Sequence, residues 1–150
     1  MRIHRIEREQ VLDRPLAEVF AFFSEAHNLE LITPKWLSFE VLSTDPVEMG
    51  AGTVIEYRLR LHGVPCRWMS RIESWDLERG FADRQLRGPY RLWRHRHEFA
   101  ASGEATVVRD HVEYALPFGA LGELAHMAFV RRDLRRIFDF RHEAAARLLA

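Results

Sequence analysis

From residue 53 to residue 117 the chain alternates between apolar and polar side chains. In "TVIEYRLRLHG", Ile55, Tyr57, Leu59 and Leu61 oppose Glu56, Arg58, Arg60 and His62; in "CRWMSRIES", Cys66, Trp68, Ser70 and Ile72 oppose Arg67, Met69, Arg71 and Glu73. In "LWRHRHEFA", Trp93, His95, His97 and Phe99 oppose Arg94, Arg96 and Glu98, and further on Val108, Asp110, Val112, Tyr114 and Leu116 oppose Arg109, His111 and Glu113. A period of two belongs to a strand with one buried and one solvated face. The pattern predicts strands at 37–45, 53–63, 65–77, 81–87, 90–100 and 105–117. They are separated by "MGAG", "HGVP", "ERG", "RGP" and "ASGEA", turns too short for anything but antiparallel neighbours.

Helical signals flank this block. After a first strand at 3–12, "DRPLAEVFAFFSE" offers Asp13 as N-cap, Pro15 in the first turn and an apolar face of Val19, Phe20, Phe22 and Phe23. "AHNLELITP" predicts a second short helix that stops before Pro34. Residues 121–149 read as one long helix of roughly 43 Å, with Leu134, Ile137 and Phe138 on its buried stripe. Strand, two short helices, six strands and one long helix make an α+β domain spanning 1–150, with helices on one side of a seven-stranded antiparallel sheet.

Composition narrows the function classes. A 47% hydrophobic chain of 150 residues supports one core, and a formal net charge of zero argues against nucleic acid as a partner. No run approaches the apolar length of a membrane span, so no integral membrane association is expected. "MRIHRIEREQ" lacks an apolar signal region and Cys66 is the single cysteine, which makes the cytoplasm the expected location.

The inner face carries more polar groups than a dry core tolerates. Pairing Phe81 inward in "FADRQLR" adds Asp83 and Gln85 to Tyr57, Ser70, His95, His97, Asp110 and Tyr114. Each such group left without a partner costs roughly 1–3 kcal/mol. Either they satisfy one another, or the space between sheet and helix is a hydrated pocket with apolar walls. The pocket reading makes these eight residues the candidate ligand contacts, with Trp68 and Trp93 as walls. Arg141, one turn after Ile137 and Phe138, joins them, able to pair with Asp110 or meet a ligand carboxylate. Trp75 falls on the outer register of its strand.

"RPLAEVFAFFSEAHNLELITP", "GPYRLWRHRHEF", "DHVEYALPFG" and the C-terminal helix with "IFDFR", in this order, resemble the START/Bet v 1-like (SRPBCC) superfamily over essentially the whole chain. The nearest resemblance is to bacterial polyketide cyclase/dehydrase and lipid-transport-like proteins. The resemblance implies a helix-grip fold, a curved sheet wrapped around the long C-terminal helix, and a cavity for a hydrophobic or amphipathic small molecule. Members range from carriers to cyclases and hydrolases, so the fold leaves function open.

Three readings follow. The first is carriage or sequestration of a hydrophobic ligand, without cofactor or metal. The second is a cyclase- or dehydratase-type enzyme using His95, His97 and Asp83, a cavity histidine having a suitable intrinsic pKa and Asp83 serving to orient it. The third is a protein-interaction module with a vestigial cavity. His95 and His97 at i, i+2, with Asp83 or Asp110, could also ligate zinc or iron, but two histidines without a fixed third ligand are a weak motif. Cys66 has no sequence-local base, and no serine sits in a nucleophile elbow. In "RRDLRR", Arg131 to Arg136, most arginines fall on the wet face of the helix.

Overall fold

The alternating runs pair into one antiparallel sheet in the computed structural model, which describes residues 1–43 and 48–150. Its strands are β1 (His4–Leu12), β2 (Glu40–Val41), β3 (Val54–Leu61), β4 (Val64–Asp76), β5 (Gly80–Arg87), β6 (Leu92–Ser102) and β7 (Ala105–Ala115). The spatial order β1-β7-β6-β5-β4-β3-β2 is a meander from β2 to β7, with β1 added against β7. Leu61 pairs with Val64 across the turn His62–Gly63, whose φ values of 50° and 80° give the type I′ geometry that a two-residue hairpin needs.

Helix α1 (Leu16–Ser24) buries Val19, Phe20 and Phe23. It starts later than expected: Pro15, extended, occupies the N-cap and no side chain caps the helix, so Asp13 is not used. The expected second helix is a 3-10 turn, Ala26–Glu30, and a further 3-10 turn follows at Lys35–Leu37. That turn, ending in Ser38 at φ 48°, shortens the strand expected at 37–45 to Glu40–Val41; Thr44 and Asp45 lie outside the described residues.

The C-terminal helix is continuous but not uniform. It runs as α2 (Gly119–Ala125), a π-helical turn at His126–Val130, and α3 (Arg131–Leu148). Gly122 starts it tightly: a Cβ there would lie 1.9 Å from the carbonyl oxygen of Pro117.

Three apolar clusters fill the space between sheet and helices. Leu12, Phe20, Phe23, Phe99, Ala144 and Ala145 pack at one end, Val41, Ile55, Tyr57 and Ile72 near β2–β4, and Trp93, Val112, Tyr114, Leu134 and Phe138 under α3. Trp75 belongs to this interior and not to the outer face. A register shift between Ile72 and Ser74, where β4 pairs with β5, reverses the alternation; Ser74 turns outward and Trp75 packs against Phe20 and Phe81 at 5.4 and 5.1 Å.

Candidate ligand cavity

Strand β6 lies between β5 and β7, and each neighbour brings one carboxylate to its inner face. Asp83 on β5 stands opposite His95, and Asp110 on β7 stands opposite His97. The hydrogen bonds run diagonally instead. His97 Nε2 meets Asp83 Oδ2 at 3.0 Å, and His95 Nε2 meets Asp110 Oδ1 at 2.8 Å. Diagonal neighbours on one sheet face are within reach of long side chains, so the alternation that placed these four residues inward also lets them bond. The imidazoles stack at 3.7 Å; Phe81 stacks on His97 at 4.3 Å and Phe138 meets His95 edge-on at 5.8 Å. Arg94 and Arg96, on the opposite face of β6, are exposed.

The protons follow from the partners. An ionised carboxylate only accepts, so each imidazole nitrogen facing one carries a hydrogen. His97 has carboxylates on both sides, hydrogen-bonded to Asp83 through Nε2 and with its Nδ1 3.5 Å from Asp110 Oδ1, and is the histidine of the pair whose charged form is favoured. Burial alone would lower its pKa; the bonds to Asp110 and Asp83 outweigh burial and raise it. Burial, reinforced by the charge of His97, pushes His95 down to about 4. Burial opposes ionisation of Asp110, yet its bonds from His95 and His97 hold it well below the usual carboxylate range; Asp83 is lowered by His97 in the same way. Arg141 completes the balance. Its guanidinium lies over the Phe23 ring at 5.4 Å, and its charge favours both carboxylates from a distance, without an ion pair to Asp110.

These groups form one wall of a cavity of about 180 Å³. Trp68, Trp93, Tyr90 and Phe138 supply aromatic walls, with Trp68 edge-on to Trp93 at 5.3 Å. The Trp68 Nε1–H donates to Ser70 Oγ at 2.9 Å, so that polar pair is closed. Tyr57 also lines the cavity; burial, then the nearby Asp83, raises its pKa and keeps the hydroxyl protonated. Half-buried Thr33, Phe39, Met49, Leu61, Ile137 and Arg141 lie along its length.

Of the residues expected to contact a ligand, Tyr57, Trp68, Ser70, Asp83, Trp93, His95, His97 and Arg141 line the cavity. Three do not. Asp110 is buried behind the histidines and orients them. Gln85 turns to its own hairpin, donating to the Tyr90 carbonyl at 2.6 Å and accepting from the Tyr90 N–H at 3.2 Å, which pins the β5–β6 turn. Tyr114 lies toward α2, its hydroxyl 2.7 Å from His126 Nε2. The orienting carboxylate of His95 is Asp110, while Asp83 serves His97.

Sequence reasoning misses Tyr90: as first residue of the strand expected at 90–100 it would share the outer register of Arg94 and Arg96, but β6 begins only at Leu92 and Tyr90, before it, lines the cavity. It also misses a second polar group, in which His4 Nε2 lies 3.0 Å from Glu123 Oε2 and its ring stacks on His126 at 3.7 Å. Glu123 and His126 at i, i+3 on a helix are the only sequence signal for it. Donor atoms of His4, Glu123 and His126, and likewise those of Asp83, His95 and His97, lie within 4.8 Å of one another. Burial raises the Cys66 thiol, leaving it un-ionised.

Residues 12–140 match the family model described as polyketide cyclase / dehydrase and lipid transport. The chain belongs to this family. Solved structures with the same START/Bet v 1-like fold include the Zhui aromatase/cyclase from Streptomyces sp. R1128, at 18% identity and TM-score 0.70, covering 99% of this chain and 98% of that one. Ara h 8.0201 matches at 15% identity and TM-score 0.66, over 99% and 98% of the two chains. A protein from Thermus thermophilus matches at 19% identity and TM-score 0.66, over 97% and 94%. No curated protein sequence matches. This polyketide cyclase/dehydrase family member thus has the fold of proteins that bind hydrophobic ligands and include polyketide cyclases. No described helix is long and apolar enough to cross a membrane.

Proposed function

We propose that the protein binds a hydrophobic or amphipathic small molecule in the cavity between the sheet and α3, and carries or sequesters it. The observation that supports this most directly is a cavity of about 180 Å³ with aromatic and aliphatic walls and a few polar groups, Asp83, His95, His97 and Arg141 among them. Apolar walls with a few placed polar groups are the usual makeup of a small-molecule site. A vestigial cavity would have been filled by large side chains; here Trp68, Trp93 and Phe138 stand around a space instead of closing it.

One observation favours the enzyme reading as the alternative. His95, neutral at pH 7, is oriented by a buried carboxylate 2.8 Å away, the arrangement of a general base with its orienting partner. In a dehydratase- or cyclase-type reaction His95 would be the base. Native mass spectrometry of freshly purified protein separates the readings: a carrier releases the co-purified molecule unchanged after prolonged incubation, whereas an enzyme converts it.

An apolar fluorescent probe is expected to bind one site per chain. Trp68→Ala and Trp93→Ala should each weaken it, because each removes one side of the aromatic wall. Fluorescence titration checks this. Binding unchanged by either substitution, in proteins that remain folded, would place the site elsewhere.

A further inference from the structure

We propose that the ligand is a hydroxylated aromatic compound of one or two rings, whose hydroxyl donates a hydrogen bond to His95 Nδ1. The inference rests on the cavity being the binding site and names what it selects.

Asp110 is buried and accepts from His95 Nε2 at 2.8 Å, so the single hydrogen of the neutral imidazole sits on Nε2. Nδ1 then carries a lone pair. Among the described residues no donor meets it: the ring's only polar contact is Asp110, and its faces are taken by His97 and Phe138. His95 lines the cavity, so this acceptor is available to whatever enters. His97 offers nothing comparable, since both its nitrogens face carboxylates.

Charge decides what kind of donor fits. Asp83 and Asp110 are already balanced by His97 and Arg141. An entering carboxylate would add an uncompensated negative charge beside two others, whereas a neutral hydroxyl preserves the balance. Shape decides the rest. A cavity of about 180 Å³ is close to the ~150 Å³ apolar cavity that admits benzene, and flat faces of Trp68, Trp93 and Tyr90 suit a flat ring.

Isothermal titration with four probes on one scaffold tests this: naphthalene, 2-naphthol, 2-methoxynaphthalene and 2-naphthoate. Expected is 2-naphthol binding about fivefold tighter than naphthalene and than the methoxy compound, which has no donor, a gap typical of one neutral hydrogen bond. His95→Phe keeps a ring stacked on His97 and should abolish the gap while naphthalene still binds. If that variant does not fold, the wild-type comparison of naphthol with its methyl ether decides alone. Equal affinity for those two overturns the inference and leaves the cavity reading intact. A gap lost in Asp83→Asn but kept in His95→Phe overturns the assignment to His95. Tighter binding of 2-naphthoate makes Arg141 the selecting group and the ligand an acid, which also overturns it. Binding of none of the four removes the cavity reading itself.

Discussion

Asp110→Ala should unfold roughly 10 °C below the unsubstituted protein at pH 7, the largest loss expected from any single change around the cavity. Removing one partner of a buried charged group costs about 3–5 kcal/mol, and in a domain of this size each kcal/mol moves the midpoint by about 2–4 °C. Asp110 holds both histidines, at 2.8 Å to His95 Nε2 and 3.5 Å to His97 Nδ1. Its loss leaves a buried N–H without an acceptor, a cation with one counter-charge in place of two, and a void on a face with almost no solvent. Asp110→Asn retains an acceptor oxygen for His95 and should lose less. Thermal unfolding followed by circular dichroism measures both. A shift below about 3 °C for the alanine variant would mean that the carboxylate contributes no more than an ordinary surface ion pair.

Stability should fall by roughly 3 kcal/mol as pH drops from 6.5 to about 4, and His95 should account for most of it. In the unfolded chain His95 takes up a proton near its ordinary 6.5, whereas in the folded protein it resists protonation until about 4. Between those values the unfolded state binds the extra proton and gains. His126 and His142, also lowered by burial, act in the same direction. His97 acts on the other side. Its folded pKa is raised, so its contribution is complete below 6.5 and is lost as pH rises through the folded value. Asp83 and Asp110, both lowered, extend the acid loss below their ordinary 3.8. Urea unfolding at pH 7.5, 6, 5 and 4 gives the curve, and His95→Phe should flatten its upper part. A curve that rises between pH 6.5 and 4 would show that His95 is protonated in the native protein.

The parts of this molecule legible in the sequence are those governed by period. Alternation places His95, His97 and Asp110 on one face without any structural information, because a slip of one residue would bury Arg94 and Arg96. Where a local irregularity breaks the period, the reading fails. Period alone sends Trp75 outward, because nothing in "RIESWD" announces the register shift before Ser74. For Gln85 and Tyr114 the phase is right but the depth is not, since period says which face a residue occupies and not how far along it the cavity extends. Gln85 lies past the end of the space, where its amide finds a turn; Tyr114 finds His126 on a helix whose rotation no strand pattern reports. Which carboxylate serves which histidine depends on diagonal rather than direct neighbours, a distinction that requires coordinates.

The π-helical turn at His126–Val130 divides the C-terminal helix into two lengths with independent phase. A wide turn of this kind holds one residue more than an α-helical turn. Losing that residue would rotate α2 by about 100° relative to α3, taking His126 off Tyr114 on the sheet, while Leu134, Phe138 and Arg141 kept their places over the cavity. The turn is thus a seam: a change of one residue there would reset how the helix begins and what it presents to solvent, and would leave the ceiling over the cavity in phase.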